Sequence, residues 1–113
     1  MNNEQQLNQI EMSIEQAKKE IELKDMLIKM DNNPEWKKLI LDGYFRDEAA
    51  RLVLLKADYG VQDEQVQKDI IKSIDAIGYF RRYLATIMQR GYTAENALRS
   101  DEETREELLS EAL

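Results

Sequence analysis

The sequence predicts an all-α protein that forms a helical bundle or hairpin. The 113 residues include one proline and four glycines, so turn-forming residues are scarce. Apolar residues recur at steps of three, four and seven over long stretches, which is the pattern of helices that bury one face. The abundant Glu, Gln, Lys, Leu, Ile and Ala favour helix. We therefore expect long N-terminal and central helices, two short helices between them, and an acidic C-terminal helix.

The first predicted helix carries a heptad seam. Apolar residues alternate at three- and four-residue steps from Leu7 to Ile28, and Lys24 interrupts them. Because the seam is narrow and flanked by polar residues, it resembles one strand of a coiled coil. In an intermolecular coiled coil, its oligomerisation residues are Leu7, Ile10, Ile14, Ile21 and Ile28. The alternative is that this helix packs on the helix over 63–90 of the same chain.

A break and two short helices are predicted after the first helix. Asn33 suits a helix cap, and Pro34 suits the first turn that follows it. This helix is predicted to stop near Gly43, which favours a chain reversal or a C-cap, and a second short helix follows with Asp47 as its cap. The two helices are expected to cover one end of the long helices. The aromatic residues expected to be buried under the Gly43 turn are Trp36, Tyr44 and Phe45.

The longest uninterrupted helical period covers residues 63–90. Asp63 or Gln62 is expected to open this central helix after a turn at Gly60. Its apolar positions predict one broad buried face that supplies the core. The residues of that face are Val66, Ile70, Ile71, Ile74, Ile77, Phe80, Leu84, Ile87 and Met88.

The C-terminal segment is predicted to form an acidic helix. Gly91 either ends the central helix or lies inside a continuation of it, and a capping box that begins at Ser100 restarts a helix. A frayed or mobile tail is the alternative. The chain is thus divided into an N-terminal amphipathic helix over 1–32, a helical core over 33–92 and an acidic helical tail over 93–113.

The net charge of −7 is distributed unevenly along the chain. Residues 1–33 contain seven acids and four lysines, residues 34–92 contain nine acids and ten bases, and residues 93–113 contain seven acids and two arginines. Binding of duplex nucleic acid depends on clustered Lys and Arg, so we do not expect free nucleic acid as a partner. No apolar run approaches the roughly 20 residues that span a bilayer, so we expect no membrane partner.

The residues that most enzymes use are missing. The chain has no cysteine and no histidine, which excludes disulfides, thiolate metal sites, nucleophilic thiols and imidazole bases. Neighbouring acids such as Asp47 and Glu48 point about 100° apart on a helix and do not converge on one atom. No phosphate-binding loop and no hydrolase motif is present. We therefore predict no catalytic residue, no metal site, no cofactor and no enzymatic activity.

One basic group lies late in the central helix and has aromatic neighbours. Such a group can hold a phosphate or the carboxylates of a partner. The alternative is that these arginines pair with acids such as Asp75, Asp47 or Glu48 of a neighbouring helix. With two aromatic residues of the predicted cap, the residues predicted to bind a partner are Arg81, Arg82, Arg90, Trp36 and Tyr44.

Three stretches carry a family resemblance: NPEWKKLILDGYF at 33–45, DEAARLV at 47–53 and IDAIGYFRRYL at 74–84. Together they resemble small helical proteins that are encoded in tailed bacteriophages, often near head and packaging genes. The resemblance covers roughly residues 10–98, and its motifs are structural rather than catalytic. It implies a virion or assembly role and a location in the virion or the host cytoplasm. Because the family has no settled activity, it transfers no functional residue.

Two functions fit these observations. The first is a non-enzymatic phage structural or assembly protein of the head or connector, which acts through helix-mediated oligomerisation and protein–protein contacts. It implies protein partners and a homo-oligomer. The alternative is a phage-encoded acidic inhibitor that binds a host protein, because the acidic arms can imitate nucleic-acid charge or occupy a basic groove.

Overall fold

The computed structural model describes residues 2–112, and at Ala112 it describes the backbone alone. Every regular element in that range is helical, so the predicted all-α class is confirmed. None of these helices has an apolar stretch long enough to cross a membrane. The elements are α1 (Asn3–Asp31), α2 (Pro34–Trp36), the π-helix π1 (Lys37–Glu48), α3 (Ala49–Ala57) and α4 (Glu64–Ala112).

The predicted start of a helix at Pro34 is confirmed. The side-chain oxygen of Asn33 accepts hydrogen bonds from the amides of Glu35 and Trp36, at 2.9 and 3.1 Å. Pro34 occupies the first turn, where its missing N–H leaves no donor unpaired. Local capping therefore separates α2 from α1.

The predicted chain reversal at Gly43 is wrong. The chain is helical without a break from Pro34 to Ala57, and no described glycine has a positive φ. Gly43 instead lies inside π1, a π-helix of 12 residues. A Cβ at this position would lie 2.8 Å from the carbonyl oxygen of Lys38, five residues earlier, where the acceptor of a π-helical bond lies. The glycine thus permits a wide helical turn, and Asp47 lies within the helix rather than at its cap.

The chain forms two compact units. The terminal unit consists of the residues up to Leu27 together with those from Thr86, and the central unit is Ile28–Ala85. The three segments predicted over 1–32, 33–92 and 93–113 are each continuous in sequence. The terminal unit instead joins the two ends of the chain, because residues that pack together are grouped in it. Each unit contains part of α1 and part of α4.

The central unit has its core between π1, α3 and α4. Leu52 of α3 and Ile70 and Ile77 of α4 are buried. Val66 and Ile71 were predicted on the same face but are exposed, because Val66 lies in the first turn of α4 and Ile71 points about 100° away from Ile70. The partly buried residues around this core are Tyr44, Phe45, Ala49, Leu55, Val61 and Ile74.

Side chains fix the connection between α3 and α4. The side-chain amide of Gln67 donates to the carbonyl oxygens of Lys56 and Val61, at 3.0 and 2.7 Å. Asp63 caps α4 by accepting a hydrogen bond from the amide of Val66 at 3.1 Å. The prediction that the long helix opens next to Asp63 is therefore confirmed.

In the terminal unit, α1 and α4 pair in an antiparallel arrangement. Ser13 Oγ donates to Asp101 Oδ2 at 2.6 Å, and Arg105 lies 3.5 Å from Glu11. Farther along α1, Lys24 pairs with Glu95, so positions rise on one helix as they fall on the other. The buried apolar residues of this pair are Ile14, Ala17, Leu27 and Ala94.

The central and C-terminal helices predicted from the sequence are one element. α4 continues through Gly91, which was one of the two alternatives, and also through Ser100. The predicted restart at Ser100 is wrong, since its carbonyl oxygen accepts a hydrogen bond from Thr104 Oγ1 at 3.0 Å within the helix. The continuation brings the acidic end of α4 against α1, whereas the intrachain alternative for α1 named the helix over 63–90 as its partner.

Candidate functional site

Lys24 is a buried lysine in the seam of the terminal unit. The residue is 4% exposed, its ammonium pairs with Glu95, and its Nζ lies 3.3 Å from Asp25 Oδ1. The same nitrogen lies 4.7 Å from the ring centroid of Tyr92, within the range of a cation–π interaction. The hydrogen bond to Glu95 raises the pKa of Lys24 above its ordinary value of 10.5. The group is therefore charged and satisfied, which indicates a structural role.

The sequence predicted Lys24 only as an interruption of the seam. Its partners lie on α4 at Gly91 and at Glu95, one turn later, where they face Lys24. A glycine followed four residues later by an acid, as at Gly91 and Glu95, can accommodate a buried lysine on a facing helix. This pattern predicts a site for Lys24 only when it is known that α1 and α4 are paired.

The five residues predicted to mediate oligomerisation lie on the inner face of α1. In the single chain Ile14 is buried, and the other four are half-buried. Packing of α1 on α4 within the chain is the alternative seen in the terminal unit. Association through the seam stays a prediction, and it would require α1 to leave its partner in the same chain. The half-buried residues are Leu7, Ile10, Ile21 and Ile28.

The structure does not gather the three predicted arginines into one site. Arg81 lines an open cavity of about 410 Å³ together with Leu41, Phe45 and Arg46. Arg82 stacks loosely on an exposed ring, with its guanidinium carbon 6.0 Å from the Tyr79 centroid. Arg90 is exposed and belongs to the terminal unit.

Two of the three acids expected to pair with these arginines, Asp47 and Glu48, have other partners. Arg46 lies 3.0 Å from Asp47, and Arg51 donates to both carboxylate oxygens of Glu48. The hydrogen bond from Arg51 lowers the pKa of Glu48 below its ordinary value of 4.5. These pairs link residues of one continuous helix and are exposed, so each contributes little to stability.

Trp36 is half-buried and lines an open groove, so the prediction that it is buried under a turn at Gly43 is wrong. Its indole Nε1 donates to Asp31 Oδ1 at 3.1 Å. We call this groove of about 390 Å³ the Trp36 groove; it is lined by Lys29, Met30, Asn33, Glu35, Trp36 and Leu39.

Tyr44, also predicted to bind a partner, is half-buried beside the core of the central unit. Its ring centroid lies 5.9 Å from that of Phe45 and 6.3 Å from that of Phe80, and the two phenylalanine centroids are 5.5 Å apart. These tilted arrangements are favourable for aromatic rings. Tyr44 therefore stabilises the fold.

Large apolar side chains are exposed on several helices of the central unit. Tyr79 and Tyr83 are one turn apart on α4 and are 65% and 58% exposed. From the sequence, these tyrosines were predicted as aromatic neighbours of the basic group, but the exposed Val66 and Ile71 were predicted on the core face. The others include Leu39, Val53, Leu54, Val66 and Ile71.

Within residues 2–112, no group of three or more acidic side chains is arranged to hold a metal ion. No family model, no curated protein and no solved structure matches the chain.

Proposed function

We propose that this chain is a non-enzymatic structural or assembly protein of a tailed bacteriophage, associated with the head or connector. It acts through contacts with other proteins, including copies of itself. The resemblance over 33–53 and 74–84 supports the phage setting. The exposed apolar side chains of the central unit support the mode of action.

The observation that carries this proposal is the pair of exposed tyrosines on α4. Tyr79 and Tyr83 present two aromatic rings on one face of the helix, and Arg82 lies between them in sequence. Tyrosine and arginine are enriched at protein interfaces, where each ring can bury much apolar area while its hydroxyl keeps a polar partner. We call these three residues the tyrosine face and assign it to contact with a larger assembly partner.

The test is recovery of the chain with purified phage particles and assembly intermediates. The wild-type chain should co-sediment with them at a fixed ratio, and a variant with both Tyr79→Ser and Tyr83→Ser should be lost from that fraction. Tyr59→Ser is the matched control, because Tyr59 is exposed but lies in the turn after α3. A wild-type chain absent from particles and intermediates would contradict the proposal.

A second candidate function is supported by the location of the charge. The terminal unit carries 13 acidic and six basic side chains, whereas the central unit carries ten of each. The net charge of −7 is therefore carried by the terminal unit, in which α1 and α4 are paired. A surface with this excess of carboxylates favours association with a basic protein. This supports an acidic inhibitor that occupies a nucleic-acid-binding groove of a host protein.

The inhibitor makes a distinct prediction in infected cells. The tagged chain should be absent from particles and should recover one host protein at a fixed ratio, with release at high salt. Replacing Glu102, Glu106 and Glu107 with Gln should weaken that recovery. Recovery that is insensitive to both salt and these substitutions would exclude the inhibitor.

A further inference from the structure

The Trp36 groove combines a concave apolar surface with a projecting apolar side chain. Met30 and Trp36 line the groove, and Leu39, which also lines it, is 71% exposed. Because Asp31 accepts the indole hydrogen bond, the polar atom of Trp36 is already satisfied. The ring therefore offers an apolar surface, which favours an apolar side chain as the occupant.

The groove also carries one cation and one anion. Lys29 and Glu35 line it, and none of the ion pairs among residues 2–112 involves either of them. Both side chains are exposed, so an occupant that offers an acid to Lys29 and a base to Glu35 gains charge complementarity. A second copy of the same groove offers both.

We propose that two copies of this chain associate through their Trp36 grooves about a twofold axis. Leu39 of each copy inserts between Met30 and Trp36 of the other, and Lys29 of each copy faces Glu35 of the other. In an interface of this symmetry, residue i contacts residue j and residue j contacts residue i, so the patch must be complementary to itself. The Trp36 groove meets this condition in charge, and it carries both an exposed leucine and the apolar surface that such a side chain can cover.

This inference rests on the proposed role in protein–protein contacts and adds the surface and the partner for self-association. It uses a different surface from the heptad seam, which is covered within the chain, and from the tyrosine face, which is left for the assembly partner. Alternative occupants, such as an apolar peptide of another protein, are separated from a second copy by the experiments below.

The first experiment is sedimentation velocity over a range of concentrations. The wild-type chain should show a monomer–dimer equilibrium, and Leu39→Ser should raise the dissociation constant about tenfold or more, as expected for loss of a central apolar contact. Since Leu39 is exposed in the single chain, the circular dichroism spectrum should not change. Val53→Ser, at another exposed position, should leave the dissociation constant unchanged. The emission of Trp36, the one tryptophan, should shift to the red on dilution.

The second experiment uses charge reversal and mixing. Lys29→Glu and Glu35→Lys should each raise the dissociation constant about tenfold, because each creates two repulsive contacts in a symmetric dimer. An equimolar mixture of the two variants should restore dimers of mixed composition, because both contacts are then complementary. A groove that binds another protein would show no rescue on mixing.

Wild-type protein that remains monomeric at high micromolar concentration would overturn this inference, as would a dimer that is indifferent to Leu39→Ser or shows no rescue on mixing. None of these results bears on particle association, which tests the proposed function separately. Conversely, a dimer that depends on the groove would support this inference even if the chain were absent from particles. The absence from particles would then contradict the phage assembly role alone.

Discussion

Gly91 of α4 lies directly against the side chain of Lys24 of α1. A Cβ at position 91 would overlap the Lys24 Cβ and would lie 2.7 Å from its Cγ and Cδ. The absence of a side chain at Gly91 thus makes room for the lysine stem, whose ammonium then pairs with Glu95. A polar residue at a seam position is accommodated because the opposite helix has no side chain there.

Replacing Gly91 with Ala should destabilise the protein. The overlap involves the stiff inner part of the Lys24 side chain, so the helices must move apart, at a cost of about 1–3 kcal/mol in the free energy of unfolding. Gly78→Ala is the matched control, because it lies on the same helix with nothing near its Cβ position. That change should stabilise by about 0.5–1 kcal/mol, since alanine favours helix over glycine. Urea unfolding measured by circular dichroism compares the two, and equal effects would refute the close contact.

Gly43→Ala should also destabilise, for a different reason. Here the added methyl group meets the backbone oxygen of Lys38, which cannot rotate away as a side chain can. We expect a loss of about 1–3 kcal/mol, of the size seen when a methyl group is forced into a filled space. The thermal midpoint of this variant should lie below that of Gly78→Ala. A stability equal to that of the Gly78 variant would show that a methyl group fits in π1.

Ile77→Ala tests the core of the central unit. Ile77 is 4% exposed in contact with the buried cluster, whereas Ile71 on the same helix is 43% exposed. Removing the Ile77 side chain should cost about 2–5 kcal/mol through lost burial and the cavity left behind. Ile71→Ala should change stability by less than about 0.5 kcal/mol. Unfolding followed by Trp36 fluorescence reports on this unit, and similar losses in both variants would contradict the assigned face.

The ion pair of Lys24 predicts a loss of stability at alkaline pH. Its pKa is raised in the folded chain, mainly by the hydrogen bond to Glu95. The folded state therefore holds this proton more tightly than the unfolded state, so the stabilisation is complete below 10.5 and is lost as the pH rises through the folded-state pKa.

Lys24→Met separates this effect from the titration of the other lysines and the tyrosines. Methionine retains an apolar stem of similar length but has no charge to lose. The difference in the free energy of unfolding between wild type and variant should be constant near neutral pH. Above pH 10.5 the wild type should lose stability relative to the variant. Urea unfolding at a series of pH values measures it. A difference that is independent of pH would show that the Glu95 pair does not stabilise the fold.

The features that the sequence predicted correctly are those that local chemistry decides. The caps at Asn33 and Asp63 use side chains within three residues of the amides that they satisfy. The core positions Ile70 and Ile77 follow from the helical period, although the same period also placed the exposed Val66 and Ile71 on that face. Such signals are complete within a short window, so they can be interpreted without knowing what lies across from them.

The features that were missed depend on partners distant in sequence. A heptad seam indicates that α1 packs on another helix but does not identify that helix, and the partner was the later part of α4. Gly91 lies inside a helix, which was one of two alternatives left open, because glycine more often marks a helix end. At Gly91 the deciding contact is with Lys24. The outward position of Ile71 likewise depends on which faces α3 and α4 turn toward each other.

The π-helix over Lys37–Glu48 gives this chain a tolerance to changes in length. In an α-helix, deletion of one residue rotates everything beyond it by about 100° and moves core side chains off their face. In π1 each i→i+5 bond encloses one residue more than an α-helical bond does. A deletion there can be absorbed by a local change to i→i+4 bonding, while Asn33 still caps one end and Leu52 still faces the core. Among natural variants of this chain, lengths should therefore differ within this segment before they differ within α1 or α4.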